Sequence, residues 1–189
     1  MGPVASVLLR NPVSDAQVDR LMRTGFRVCA HRDEWVLEDP AALGISGDVS
    51  DAGLVGVSVR QDYSAHERLV EAIGFRPVAA IGAWMACNGD ADHRLLGHLC
   101  LAFALEFDAL VEFGGALTPF AWPAHIPNVN PSREQRAEIA QRTSHALRRL
   151  PGRLYAVNHG SRSRPRESHV CDAEFLDAWL RHPRFRMIK

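Results

Sequence analysis

The amino-acid sequence predicts a single α+β domain over residues 1–189, with helices packed on a mixed β-sheet. Three observations predict it. Short apolar or alternating runs of strand length recur along the chain. The amphipathic stretches between them open on Ser or Asp in capping positions. One run, Pro77 to Ala86, has no polar alternation, as a strand buried on both faces requires. At 189 residues, 47% hydrophobic and 23% charged, the chain can bury one core unaided.

Ser6–Arg10 reads as a first strand. Ser14 and Gln17 have capping-box spacing, Val13 and Val18 suit a hydrophobic staple, and Val18, Leu21 and Met22 make the inward stripe before Gly25. Two strands follow, "FRVCAH" and "EWVLE". Asp39–Gly53 is a loop with room for one helical turn. "LVGVSVR" is a strand. Ser64 and Glu67 then repeat the capping box for a helix whose buried face is Leu69, Val70 and Ile73, ended by Gly74. After the buried strand, a helix starts near Asp90 or Asp92, and "ALVEF" leaves it as a strand turned by Gly114-Gly115. Four prolines between Pro119 and Pro131 make residues 118–131 an internal covering loop. Ser132 and Gln135 cap the next helix, with Ile139, Thr143, Leu147 and Leu150 inward. "RLYAV" is a strand and "NHGSRSRPRES" a basic loop. Asp172 caps a last helix with Phe175, Leu176, Trp179 and Leu180 as its stripe. The front portion reads as β-α-β…β-α-β, the split pattern of a ferredoxin-like sheet.

Formal net charge is zero but uneven. Residues 1–132 hold 9 basic and 16 acidic residues, and residues 133–189 hold 13 and 6, so the balances are −7 and +7. Such a chain is not a strongly basic nucleic-acid binder. No apolar run approaches the ~18 residues of a membrane span, and "MGPVASVLLRNP" lacks a basic leader. A cytoplasmic location is therefore expected, with no membrane contact. Cys29, Cys87, Cys100 and Cys171 lie 58, 13 and 71 residues apart, spacings that match no zinc framework, and read as reduced thiols.

The densest group of reactive residue types is "CNGDADHRLLGHLCLAFALEFDALVEFGG". Its His93 and His98 are five positions apart and point ~140° away from each other on a helix, whereas a zinc pair needs three or four. No metal ligand set and no cofactor are expected. The stretch reads as a capped core helix, with Leu96, Leu99, Cys100, Phe103 and Phe107 inward. Glu106, Asp108 and Glu112 read as solvated edges, and Trp35 and Trp84 as packed in or beside the core. Binding candidates are the alternating Arg162, Arg164 and Arg166, whose guanidinium forks suit carboxylates or phosphates, and Trp122 among the prolines. The alternative is an enzyme, hydrolase-like, whose site is assembled from the dispersed His93, His159 and His169. Nucleic-acid binding through the arginine-rich last third is weaker still, since no aromatics interleave there.

The segments "MACNGDADHRLLGHL", "FDALVEFGGAL" and "FLDAWLRHPRFRMIK" together resemble an uncharacterised family of small actinobacterial α+β proteins. In style the chain is also similar to immunity proteins of bacterial polymorphic toxin systems. The resemblance covers mainly residues 76–117 and 172–189 and carries no catalytic residue. It implies a cytoplasmic neutraliser that binds one toxin-like protein partner and performs no chemistry.

Overall fold

A computed structural model describes residues 2–29, 34–45, 49–117, 138, 141–143, 145–159 and 167–187. Strands β1 (Val4–Leu9), β2 (Phe26–Val28), β3 (Glu34–Leu37), β4 (Val55–Arg60), β5 (Ala79–Met85), β6 (Leu110–Glu112), β7 (Leu154–Asn158) and β8 (Glu167–Cys171) form one sheet in the order β2-β3-β4-β5-β1-β6-β8-β7. The sheet was expected to be mixed, but its described pairings are antiparallel throughout. The reason lies in the connections. The run from β1 through helix α1 (Asp15–Met22) to β4 leaves a gap between those two strands, and β5 fills it in the opposite direction. Helix α3 (Asp90–Phe107) likewise carries the chain from β5 past β1 to β6. The four central strands, β4-β5-β1-β6, thus realise the split β-α-β arrangement in the front of the chain, and β2-β3 and β7-β8 extend it at both edges.

The helices follow their caps. Ser14 Oγ accepts the Gln17 amide at 3.3 Å, Gln17 Oε1 accepts the Ser14 amide at 2.9 Å, and Val13 and Val18 are both buried. Helix α2 (Glu67–Ile73) begins later than Ser64 implies. Its cap is His66, whose Nδ1 accepts the Leu69 amide at 3.1 Å, and Gly74 ends it at φ 78°. Asp172 caps α4 (Ala173–Leu180) by accepting the Phe175 amide at 2.9 Å. At the start of α3, Asp92 is buried as an acceptor of two amides, Gly89 at 2.6 Å and Gly53 at 2.8 Å, which ties the loop before β4 to the helix. The expected turn in the 39–53 loop is the 3-10 turn Ala41–Leu43. Strand β8 interrupts what reads in sequence as loop. Of the helix expected after Ser132, the described residues 141–143 and 145–147 are helical, with Thr143 and Leu147 buried. Residues 118–131, Ser132, Gln135 and Ile139 lie outside the described residues.

One sheet face carries the main core. Val7, Leu9, Ile81, Ala83, Val111 and Cys171 point into it and meet α1, α3 and α4. Leu95, Leu96, Leu99 and Phe103 of α3 are fully buried there, each contributing about 1.5–3 kcal/mol relative to exposure. Gly97 lets Phe185 and Leu180 approach the α3 backbone, since an added Cβ would sit 2.6 Å from the Phe185 ring. The Trp179 Nε1–H donates to the Arg186 carbonyl at 3.3 Å, and His182 stacks on the indole at 4.9 Å, so residues 182–187 are strapped across the helices. A smaller core on the other face joins Leu8, Ala80, Leu110, Val157 and Val170 to Ala65, Leu69 and Ile73 of the α2 region. The four cysteines are free, and burial pushes the Cys100 thiol up to about 12. No helix among the described residues is long and apolar enough to cross a membrane.

Two glycines in the left-handed region separate backbone strain from crowding. Gly74 (φ 78°) has open space at its Cβ position, whereas a Cβ on Gly152 (φ 83°) would overlap the Phe175 amide nitrogen. Gly74→Ala should cost about 1–2 kcal/mol, the left-handed penalty alone. Gly152→Ala should cost clearly more, because the start of α4 must move as well. Urea denaturation of both variants measures this, and equal losses would contradict the packing described.

Candidate functional site

Strand alternation turns one residue in two toward the α2 side of the sheet. Register aligns Ser58, Gly82, Ser6, Glu112, Val170 and Tyr155 in one row across β4, β5, β1, β6, β8 and β7. The next row holds Gly56, Trp84 and Val4. α2 buries the part of this face that carries Leu8, Leu110, Val157 and Val170. Toward β4 and β5 the face is open: Val4, Ser58 and Arg60 are exposed, and Ser6 and Trp84 half-buried. The Trp84 indole lies over Gly56, where an added Cβ would strike the ring. Arg60 donates to Ser6 Oγ at 3.2 Å, and its guanidinium carbon is 5.5 Å from the Tyr63 ring centroid. The Tyr63 hydroxyl donates to Glu112 Oε2 at 3.1 Å. Burial first, then the Glu112 charge, pushes the Tyr63 hydroxyl up to about 12, so it remains a donor at neutral pH.

Beside this floor is a cavity of 420 Å³ lined by Glu112, Gly114, His159, Glu167 and Ser168. Ser168 is buried on β8, and its hydroxyl is hydrogen-bonded to His159 Nε2. The His159 ring meets His66 edge-on at 4.3 Å, and Arg68 of α2 donates to the Asn158 carbonyl at 3.0 Å. Burial, followed by the His66 and Arg68 charges, holds the His159 imidazole below its ordinary value against the pull of Glu112. On the opposite wall Glu167 Oε1 lies 3.1 Å from His169 Nε2. The other nitrogen of His169, Nδ1, accepts the Leu117 amide at 2.9 Å, so Nε2 carries the proton and points it at Glu167. His169 thereby pins residue 117 to β8.

The three histidines named from the sequence occupy three places. His93 is buried in α3 among the helices, with the Arg186 guanidinium 3.4 Å from its Nε2. His159 lies on the α2 side of the sheet. His169 points, like Cys171 two residues on, to the face of the main core. Arg162, Arg164, Arg166 and Trp122 lie outside the described residues. Among the described residues no group of three His, Cys, Asp or Glu side chains is placed to hold a metal ion. Sequence reading missed Tyr63, Ser168, His66 and Arg60, and placed Trp84 in or beside the core; it lies beside it, half-buried. The available signal was the polar pair Ser168 and His169 directly before the apolar Val170 and Cys171.

Burial, with the Arg186 charge second, holds the His93 imidazole below its ordinary value, against Asp90, the Met187 backbone and Asp92. A lowered value in the folded state makes stability full above the unfolded value of ~6.5 and weaker as pH falls below it, where only the unfolded chain takes up the proton. Unfolding free energies from urea denaturation should therefore fall between pH 7.5 and 5, by no more than about 1.4 kcal/mol per pH unit for each such histidine. His93→Gln should flatten that dependence, and an unchanged slope in a folded variant would count against the assignment.

No curated protein and no solved structure matches the chain. The family of unknown function DUF6368 matches it over residues 1–189, from its first strand to the strap across its helices, and the chain belongs to that family.

Proposed function

We propose that the chain is a non-enzymatic cytoplasmic binding protein, an immunity-like neutraliser that covers one toxin domain. One observation carries this reading. The part of the sheet face that α2 leaves uncovered brings together Trp84, Tyr63 and Arg60, the three residue types that dominate binding energy at protein interfaces, around exposed Val4. Trp84 sits on a glycine, so its ring is held in place before a partner arrives, and little rotamer freedom remains to be lost on binding. The floor itself is made of β-strands paired on both sides, and a surface of that kind docks a partner with little backbone change.

A second reading, a hydrolase, is favoured by the Ser168–His159 hydrogen bond at the cavity wall, the contact a serine nucleophile makes with its base. Labelling of Ser168 by a fluorophosphonate would carry it, and an unlabelled Ser168 would remove it.

Co-expression with the products of the genes on either side tests the neutraliser reading. The expected result is a complex with one of them and rescue of growth when that product is toxic. Failure of both would overturn the reading. Trp84→Ala should weaken the complex at least tenfold, the loss typical of an aromatic anchor. The same substitution should leave the urea midpoint nearly unchanged, because the ring lies outside both cores.

A further inference from the structure

We propose that residues 182–187 are an acid-sensitive strap: protonation of His93 releases them from α3 while the sheet stays folded. Such a strap works whether or not the chain neutralises a toxin. Its trigger is a buried ring with nowhere to place a second proton. His93 is 2% exposed. Its Nε2 faces the Arg186 guanidinium at 3.4 Å and can only accept from it, since a guanidinium has no lone pair to offer. Its Nδ1 has no hydrogen-bond partner among the described residues. An imidazolium donates from both nitrogens. In the closed strap one of those donors would point at a cation, and the other at no acceptor.

The charged groups facing the ring are Arg186 from the strap and Asp90 and Asp92 from its own helix. The acids do not relieve the clash. Asp92 is committed to the Gly89 and Gly53 amides, and Asp90 is exposed and 3.7 Å from Arg186. α4 approaches α3 through the apolar Leu180 at Gly97. Lys189 lies outside the described residues and titrates far above the range that matters here. Burial and then Arg186 accordingly hold the closed-strap imidazole below its ordinary value, against the weaker pull of Asp90, the Met187 backbone and Asp92. In the open strap the ring returns to about 6.5. The closed form is therefore at full strength above that value and loses ground below it, where only the open form takes up the proton.

The strap can open without the sheet because it pairs with no strand. Phe185 seats at Gly97, Met187 is buried, and the Trp179 indole donates to the Arg186 carbonyl. The strap's own amide bonds stay within its turn, His182 to the Trp179 carbonyl and Phe185 to the His182 carbonyl, both at 2.9 Å. Contacts of this local kind open at a lower free energy than a paired sheet. Opening uncovers the seat at Gly97.

Amide hydrogen exchange of the full chain, read by NMR between pH 7.5 and 5 and corrected for intrinsic exchange, tests this. Protection at His182 and Phe185 should be nearly constant above pH 7 and then fall, by at most about tenfold per pH unit. The β5 amides should stay more protected throughout. The His93 ring should titrate below its ordinary value in the wild type, a readout that needs no variant to fold. His93→Gln should abolish the fall and Arg186→Gln should lessen it. His182, which stacks on Trp179 beside Arg184, and His98, between Arg94 and Asp177, are the rival titrating groups. His182→Gln and His98→Gln should leave the fall in place. Strap protection that ignores pH, that equals β5 protection at every pH, or that still falls in His93→Gln would overturn the proposal.

Discussion

The structure depends on one inequality: a single eight-stranded sheet has two faces, and the described residues cover them unequally. Helices α1, α3 and α4, the helical residues around Leu147 and the strap after α4 fill one face with a continuous apolar core. Among the described residues the other face receives one helix of seven residues, which helps to bury Leu8, Leu110, Val157 and Val170. A sheet of this kind needs only one packed face to be stable, since an antiparallel sheet tolerates water on the other. The consequence is that residues on the α2 side of β4, β5 and β1 are released from the demands of packing. They can be Ser6, Ser58, Arg60, Gly82 and Trp84, a set that no core would select.

The same inequality explains which parts of the fold were legible in the sequence. The main core face is written in patterns that a one-dimensional reading detects. Ser14 with Gln17, Gly74 and Asp172 each act within a turn of their own helix, so their spacing is local. The doubly buried β5 shows as an unbroken apolar run. The second face is written in long-range contacts. Strand β8 was read as loop because two of its five residues, Ser168 and His169, are polar yet buried, and each is satisfied by a distant partner or an edge carboxylate. The start of α2 was misplaced because an imidazole performs the capping that the Ser64 hydroxyl seemed suited to perform. The site itself brings together Tyr63, Glu112, His159 and Ser168, residues up to 105 positions apart. No spacing rule relates them, and only the strand order β1-β6-β8-β7 puts them side by side.

Histidine placement follows from burial as well. His93 and His169 are removed from water, and each meets one particular partner, Arg186 or Glu167, that decides what its ring can do. Burial first, and then the guanidinium it faces, hold the His93 imidazole below its ordinary value. Facing a carboxylate, with its other nitrogen occupied, His169 donates and cannot serve as a base. His159, by contrast, is exposed at the end of β7, and only its Ser168 contact and the His66 edge constrain it. Residues identical in type thus divide into a helix-layer element, a pin for the chain, and a surface group, which is why a count of nine histidines says little about chemistry.

The dimensions of the open face bear on how it can bind. Strands are spaced about 4.8 Å apart and rise about 3.4 Å per residue. Two rows of outward side chains over four strands then offer a floor of roughly 300 Å². A stable interface takes about 800 Å² from each partner. The floor alone is therefore too small to hold a protein by area, and a partner seated there must also reach past its rim. On the β4 side Asp62 and Arg60 are exposed polar groups, which give specificity more than affinity. On the β6 side the rim is the cavity lined by Glu112, Gly114, His159, Glu167 and Ser168. An anchor at Trp84 therefore has to work together with contacts at the rim, and Glu112, shared by the sheet row and the cavity wall, is where the floor and that rim meet.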